Sequence, residues 1–341
     1  MTPRFLSLAT CFLLTLVAGG GCGWLVPDAP PDPPSSSPQP TGTPELTYED
    51  ITLTEVEPDG TLLWRLTARL ARYNQEETAA SLDSVTGEVF DQANSSIKVK
   101  ANSGSAFPNE NRLALTGEVQ VQSPSHQVQI TADQVAWWPD DNRLQAEGNV
   151  VLIQIPAAIP ESSSPQPGEP ATLTLVPPES ALWIAKAEAL EVDLMQNQVT
   201  LQNPDSQSPV QARAREPELD LEASRISWNL NTGEITASGP IQVAYPEQQV
   251  QMQGERLITT IPSDQIRLQG NTYSRSEATG QELWAEQLQW TPHTPLVNAS
   301  GNVRYRQPGQ NLAVTGETAI VNWEAQTVAI SGGTTTEVAL P

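Results

Sequence analysis

One period governs this chain: pairs of small residues sixteen places apart recur every 31 residues. Ala223/Gly239, Gly254/Gly270, Ala285/Gly301 and Gly316/Gly332 form one unbroken series, and Ala101/Gly117 and Ala132/Gly148 form another. Ala187/Asn203 is a degenerate copy. A repeat of this length is one supersecondary unit that cannot bury its apolar face alone, so copies must stack.

Counting from each starting residue identifies the unit. Apolar side chains return at the third and fifth places, as in Val135 and Trp137, Ile226 and Trp228, and Leu288 and Trp290. They return again at the twelfth and fourteenth, as in Leu144 and Ala146, Ile235 and Ala237, and Val297 and Ala299. Turn residues such as Pro139-Asp140-Asp141-Asn142 and Asn231-Thr232-Gly233 lie between. The spacing predicts an antiparallel hairpin in which the third place faces the fourteenth and the fifth the twelfth. All four side chains then share one face. Gly at the sixteenth place is expected where a strand bends or bulges. The fold class is therefore all-β, an elongated, twisted stack of antiparallel hairpins. The first unit is a variant, with Asp59-Gly60 as its hairpin signal and three extra residues before the glycine of Val85-Thr86-Gly87, as a cap requires.

The shared columns pick out Val135, Trp137, Leu144, Ile226, Trp228, Ile235, Leu257, Leu288, Trp290 and Val297 as one apolar track. Two readings stay open: a closed sandwich core with an aromatic ladder, or a partly open slot for acyl chains.

The N-terminus predicts export. Arg4 precedes the apolar run Phe5 to Val17, then Ala18-Gly19-Gly20-Gly21-Cys22. Residues 1–22 read as a signal ending in a lipoprotein-type site with Cys22 as the lipid anchor, as part of an uncleaved membrane anchor from Phe5 to Val26, or as a simple secretion signal. Residues 23–45 form a proline-rich stalk that packs no core. The body divides into 46–125 and 126–341. Within it the seven prolines of Ile155 to Ser180 mark a flexible insertion between repeats.

The same residues exclude several functions. Seventeen Lys+Arg stand against 40 Asp+Glu, a net charge of -23, which repels nucleic acid. Both cysteines, Cys11 and Cys22, precede the body, so it holds no disulfide. His126 and His293 lie in turn-like settings without ligand spacing. No catalytic constellation, metal site or cofactor motif emerges.

Three segments, VQITADQVAWWPDDNRLQAEGNVVL (Val128 to Leu152), LEASRISWNLNTGEITASGPIQV and LWAEQLQWTPHTPLVNASGNV, resemble the OstA/LptA-type repeats of lipopolysaccharide transport proteins. The segment DGTLLWRLTARLARYNQEETAASLDSVTGEVF (Asp59 to Phe90) resembles the opening of LptC, and the chain as a whole looks most like an extended LptC. The resemblance implies an OstA-like β-jellyroll that binds lipopolysaccharide or a related glycolipid. The lipid would come from an inner-membrane LptBFG-like ABC transporter and pass to an LptA-like periplasmic protein joined by end-to-end strand pairing. It also implies residence on the periplasmic side of the inner membrane of a diderm bacterium, held by the N-terminus, and no enzymatic activity. The stalk, the lipoprotein-type site and the additional repeats depart from the usual LptC pattern and leave LptC, LptA and fused roles open. A structural or adhesive repeat protein with a closed core is the alternative. An enzyme on a β-solenoid would need clustered charges on one strand face, which the columns lack.

Overall fold

A computed structural model describes residues 46–338 except 57–59, 61, 75–77, 91–95, 156–172, 174, 205–207, 261–264, 292–293 and 309–311. Cys22, the N-terminal apolar run and the stalk lie outside the described residues, as does His293.

All strands hydrogen-bond into one antiparallel sheet. β1 (Leu46–Val56), β2 (Leu62–Tyr73), β3 (Ala80–Phe90), β4 (Ser96–Phe107), β5 (Arg112–Ser123), β6 (Val128–Trp138), β7 (Arg143–Gln154) and β8 (Trp183–Asp193) form an unbroken meander. β9 (Gln198–Gln202) and β10 (Val210–Arg215) share the next crossing by pairing with the two ends of β8. β11 (Glu218–Ala223) and β12 (Arg225–Asn229) share the one after. The meander resumes through β13 (Glu234–Tyr245), β14 (Val250–Thr260), β15 (Ile266–Ser276), β16 (Glu282–Trp290), β17 (Leu296–Gln307) and β18 (Leu312–Asn322), and ends on β19 (Thr327–Ser331) and β20 (Thr335–Val338). Hydrogen bonding runs straight from β5 to β6, across positions 125 and 126.

The register is the one the spacing predicts. Val135 faces Ala146 and Trp137 faces Leu144. Ile226 faces Ala237 and Trp228 faces Ile235, and Leu288 faces Ala299 while Trp290 faces Val297.

At the sixteenth place the backbone turns left-handed. Gly301 has φ +78°, and a β-carbon there would lie 2.8 Å from that of Glu286. The next residue, Asn302, is also left-handed, and its amide donates to Glu286 Oε1. Asn271 repeats the arrangement on Glu255 (2.6 Å) and Asn149 on Asp133 (2.7 Å). Only glycine tolerates both this φ and the crowding. Each such site is a bulge in the ladder. In the degenerate copy Asn203 replaces the glycine, and its side chain accepts a bond from the Glu188 N–H (2.7 Å). The crossing is split there into β9 and β10.

The bulges fold the sheet onto itself. Along the ladder Trp228 shares a row with Val199 and Val192, at the end of β8 opposite Trp183. Nine residues of flat strand would separate these rows by about 30 Å. The Trp183 and Trp228 rings are 5.5 Å apart. Trp64 and Trp137 likewise lie on rows at opposite ends of β4, those of Ile97 and Ala106, with ring centroids 6.2 Å apart. Every full crossing therefore gives one half to each of two facing layers, and the core between them is one continuous cluster from Leu66 to Trp323.

The ends of the insertion expected to be flexible pack against the fold. Ile155 is buried with Ile153 and Ala181 in a small second cluster, against which Val176 packs. The Gln129 side chain donates to the Val176 carbonyl (3.2 Å) and accepts from its N–H (2.9 Å). Paired apolar contacts and a two-way amide bond fasten both ends, whereas 156–172 and 174 lie outside the described residues.

Candidate functional site

The ten track residues come together on the inner side of one layer. Val135, Ile226, Trp228, Ile235, Leu257, Leu288, Trp290 and Val297 are buried, and Trp137 and Leu144 are half-buried against the same core. In this state the track is closed: Trp228 is 3% and Trp290 2% exposed. An acyl chain could occupy it only after the layers part.

The facing layer has its own apolar columns, which counting from the small residues stopped short of. They fall at the eighteenth and twentieth places, as in Val119 and Val121, Val150 and Leu152, and Ile241 and Val243, all buried. The signal was present in the sequence, since these positions obey the same 31-residue period. They lie beyond the bulge, where they form the opposite wall.

Side chains reaching from wall to wall hold the two layers together. Trp64 meets Trp137 edge-on, with rings at 83°, and Trp183 meets Trp228 at 64°. Farther along, Gln248 in the turn after β13 donates through Nε2 to the Thr294 carbonyl in the turn before β17 (3.3 Å). Edge-to-face aromatic pairs add about 0.5–1.5 kcal/mol to their burial. Each of these clasps thus adds only modestly to the burial it shares. Trp64 and Trp183 lie in the wall opposite the predicted column, and no repeat offset pairs them with it.

The indole N–H groups of Trp228 and Trp290 are buried without a hydrogen-bond partner. Such orphaned donors are costly. On the exposed side the Arg213 guanidinium on β10 pairs with Asp220 on β11, which raises the arginine's pKa further above its ordinary value. Exposed pairs of this kind add little stability. Burial raises the pKa of the Tyr305 phenol, so Tyr305 stays protonated and donates to Gln307 Oε1 (3.2 Å).

Residues 12–159 match the family model described as lipopolysaccharide-assembly, LptC-related. Among solved structures the chain is similar to LptH, the LptA homologous periplasmic component of the conserved lipopolysaccharide transport device from Pseudomonas aeruginosa. The two are 12% identical, with 37% of this chain and 98% of that one covered, at a TM-score of 0.33. No curated protein matches the chain.

Proposed function

We propose that this chain is an LptC/LptA-like protein, a non-enzymatic periplasmic component of lipopolysaccharide transport, as the family match over residues 12–159 supports, and that its two-walled interior is the path the lipid follows. The observation that carries this reading is the continuity of the apolar core through the whole stack of repeats. Each buried CH2 contributes about 0.8 kcal/mol, so burying several acyl chains can offset the free energy of opening the clasps. The acidic exterior, at a net charge of -23, leaves an anionic head group at the margin while the chains lie within.

The lipid arrives from an inner-membrane LptBFG-like ABC transporter, which hydrolyses the ATP, and leaves for an LptA-like protein. The sheet's open edges, β1 at one end and β19 with β20 at the other, suit strand pairing with such neighbours. The family match ends at residue 159, whereas the ladder continues from β7 to β8 and on to β20. We read the chain as an extended LptC whose further repeats take on an LptA-like bridging role.

Photo-crosslinkers test the path. Placed at Trp228 or Trp290, they are expected to capture lipopolysaccharide in an ATP-dependent manner when the transporter is present. Those at the turn residues Asp141 or Thr232 capture little. Equal labelling at both kinds of position, or none at the track in folded protein, favours the closed structural sandwich.

Anchoring at the periplasmic face of the inner membrane is proposed to run through Cys22. Cys22→Ala is expected to shift the protein from the membrane to the soluble fraction. Full membrane retention without acylation assigns the anchor to an uncleaved segment from Phe5 to Val26 instead.

A further inference from the structure

The second wall changes character at β15. On neighbouring strands its inward positions hold Ile241 and Val243, Val250 and Met252, and Val303. On β15 they hold Thr272, Ser274 and Ser276, and Gln281 and Gln307 follow on the next two crossings. All five are buried, with Ser274 and Gln281 at 0% exposure.

Most of these groups find partners. Thr272 Oγ1 donates to the Ala285 carbonyl (2.7 Å), Ser276 Oγ accepts from the Thr279 N–H (3.3 Å), and Gln307 accepts from Tyr305. Ser274 Oγ and both polar atoms of the Gln281 amide have none. Gln281 offsets part of the rise that burial imposes on the Tyr305 pKa, yet no hydrogen bond of proper geometry joins the two side chains. Ser274 faces Leu283, and the Ser276 N–H bonds the Gln281 carbonyl, so Ser274 and Gln281 are diagonal neighbours on one inner face. A polar pair stripped of water and left unpaired opposes folding. Valine or leucine, which the period supplies at equivalent places, would avoid that cost.

We propose that Ser274 and Gln281 form a polar seat within the lipid path, which takes the secondary amide of an N-acylated amphiphile. The proposal rests on the transport reading. A secondary amide presents one N–H and one carbonyl, and the primary amide of Gln281 offers an acceptor and donors to match, with the Ser274 hydroxyl as the second partner. Amide-linked chains thus gain a stopping point that purely hydrocarbon or ether-linked chains lack. Seat and orphaned polar atoms explain one another: an acyl amide supplies the partners that the fold itself does not.

The test compares two fluorescent probes of equal chain length on the full chain, an N-acyl glucosamine and an O-alkyl glucoside. Wild type is expected to prefer the amide about tenfold, the worth of one well-made hydrogen-bonded pair. Gln281→Leu with Ser274→Val should abolish the preference, keep binding of the ether probe, and raise the melting temperature because orphaned groups are removed. Ser274→Ala, the milder variant, should lose part of the preference. An unchanged preference in the folded variants overturns the seat. Equal binding of both probes by wild type overturns it too, while the transport reading stands. Failure of every form to bind either probe overturns the transport reading and the seat together.

Discussion

If the proposed lipid path is right, bridging positions 248 and 294 with a short covalent linker will stop lipid loading while leaving the protein folded. Gln248 and Thr294 lie in turns on opposite walls and already touch through one hydrogen bond. The track behind them is closed, with Trp228 and Trp290 at 3% and 2% exposure, so loading requires the walls to separate. Gln248→Cys and Thr294→Cys, joined by a bis-maleimide, forbid that separation locally. The body has no cysteine of its own, and single-cysteine variants account for reaction at Cys11 or Cys22. Loading of a lipopolysaccharide probe is expected to fall at least about tenfold, the effect of a barrier or binding change of only about 1.4 kcal/mol. Thermal stability should hold or rise, because the linker restricts the unfolded chain. A control bridge between Gln289 and Asn298, neighbours within one wall, should leave loading intact. Normal loading by the bridged protein would mean that lipid does not pass between the walls here.

Trp228→Ala should cost about 3–5 kcal/mol of stability, the range for removing a buried tryptophan. Three neighbours converge on this side chain: Ile235 beside it on β13, Val199 beside it on β9, and Trp183 from the opposite wall. Trp228→Phe should lose much less than its volume change implies. Phenylalanine keeps a ring for the edge-to-face contact and removes the orphaned indole N–H, whose burial opposes folding. Trp137→Ala, at a half-buried member of the same column, should fall between the two. Denaturant midpoints at constant slope measure all three. A loss below about 1 kcal/mol for Trp228→Ala, far under the usual range, would show that the walls do not meet at this ring in solution.

Much of this architecture was open to inspection in the primary structure. The columns at Val135 and Trp137, Ile226 and Trp228, and Leu288 and Trp290 stated both the period and the cross-strand register, since alternation along a strand and pairing across a hairpin are short-range constraints. The glycines of the sixteenth place announced a bend. Gly301 showed why: no side chain fits at φ +78° against Glu286. The insertion was only partly legible. Its prolines argued against a strand, but the fastening of Val176 by Gln129 joins residues 47 apart and leaves no local pattern.

The sequence by itself determined an all-β stack, its 31-residue unit, which side chains share a face and where the strands bend. Those features depend on alternation, turn chemistry and the conformational freedom of glycine, each set within a hairpin. The tertiary structure alone decided that the bends bring opposite strand ends of one sheet together. Trp183 thus meets Trp228 and Gln248 meets Thr294, so the tryptophan column is closed by a second wall. The angle at each bulge and the twist accumulated over several strands select those partners. Both are sums over many residues, so no repeat offset contains them.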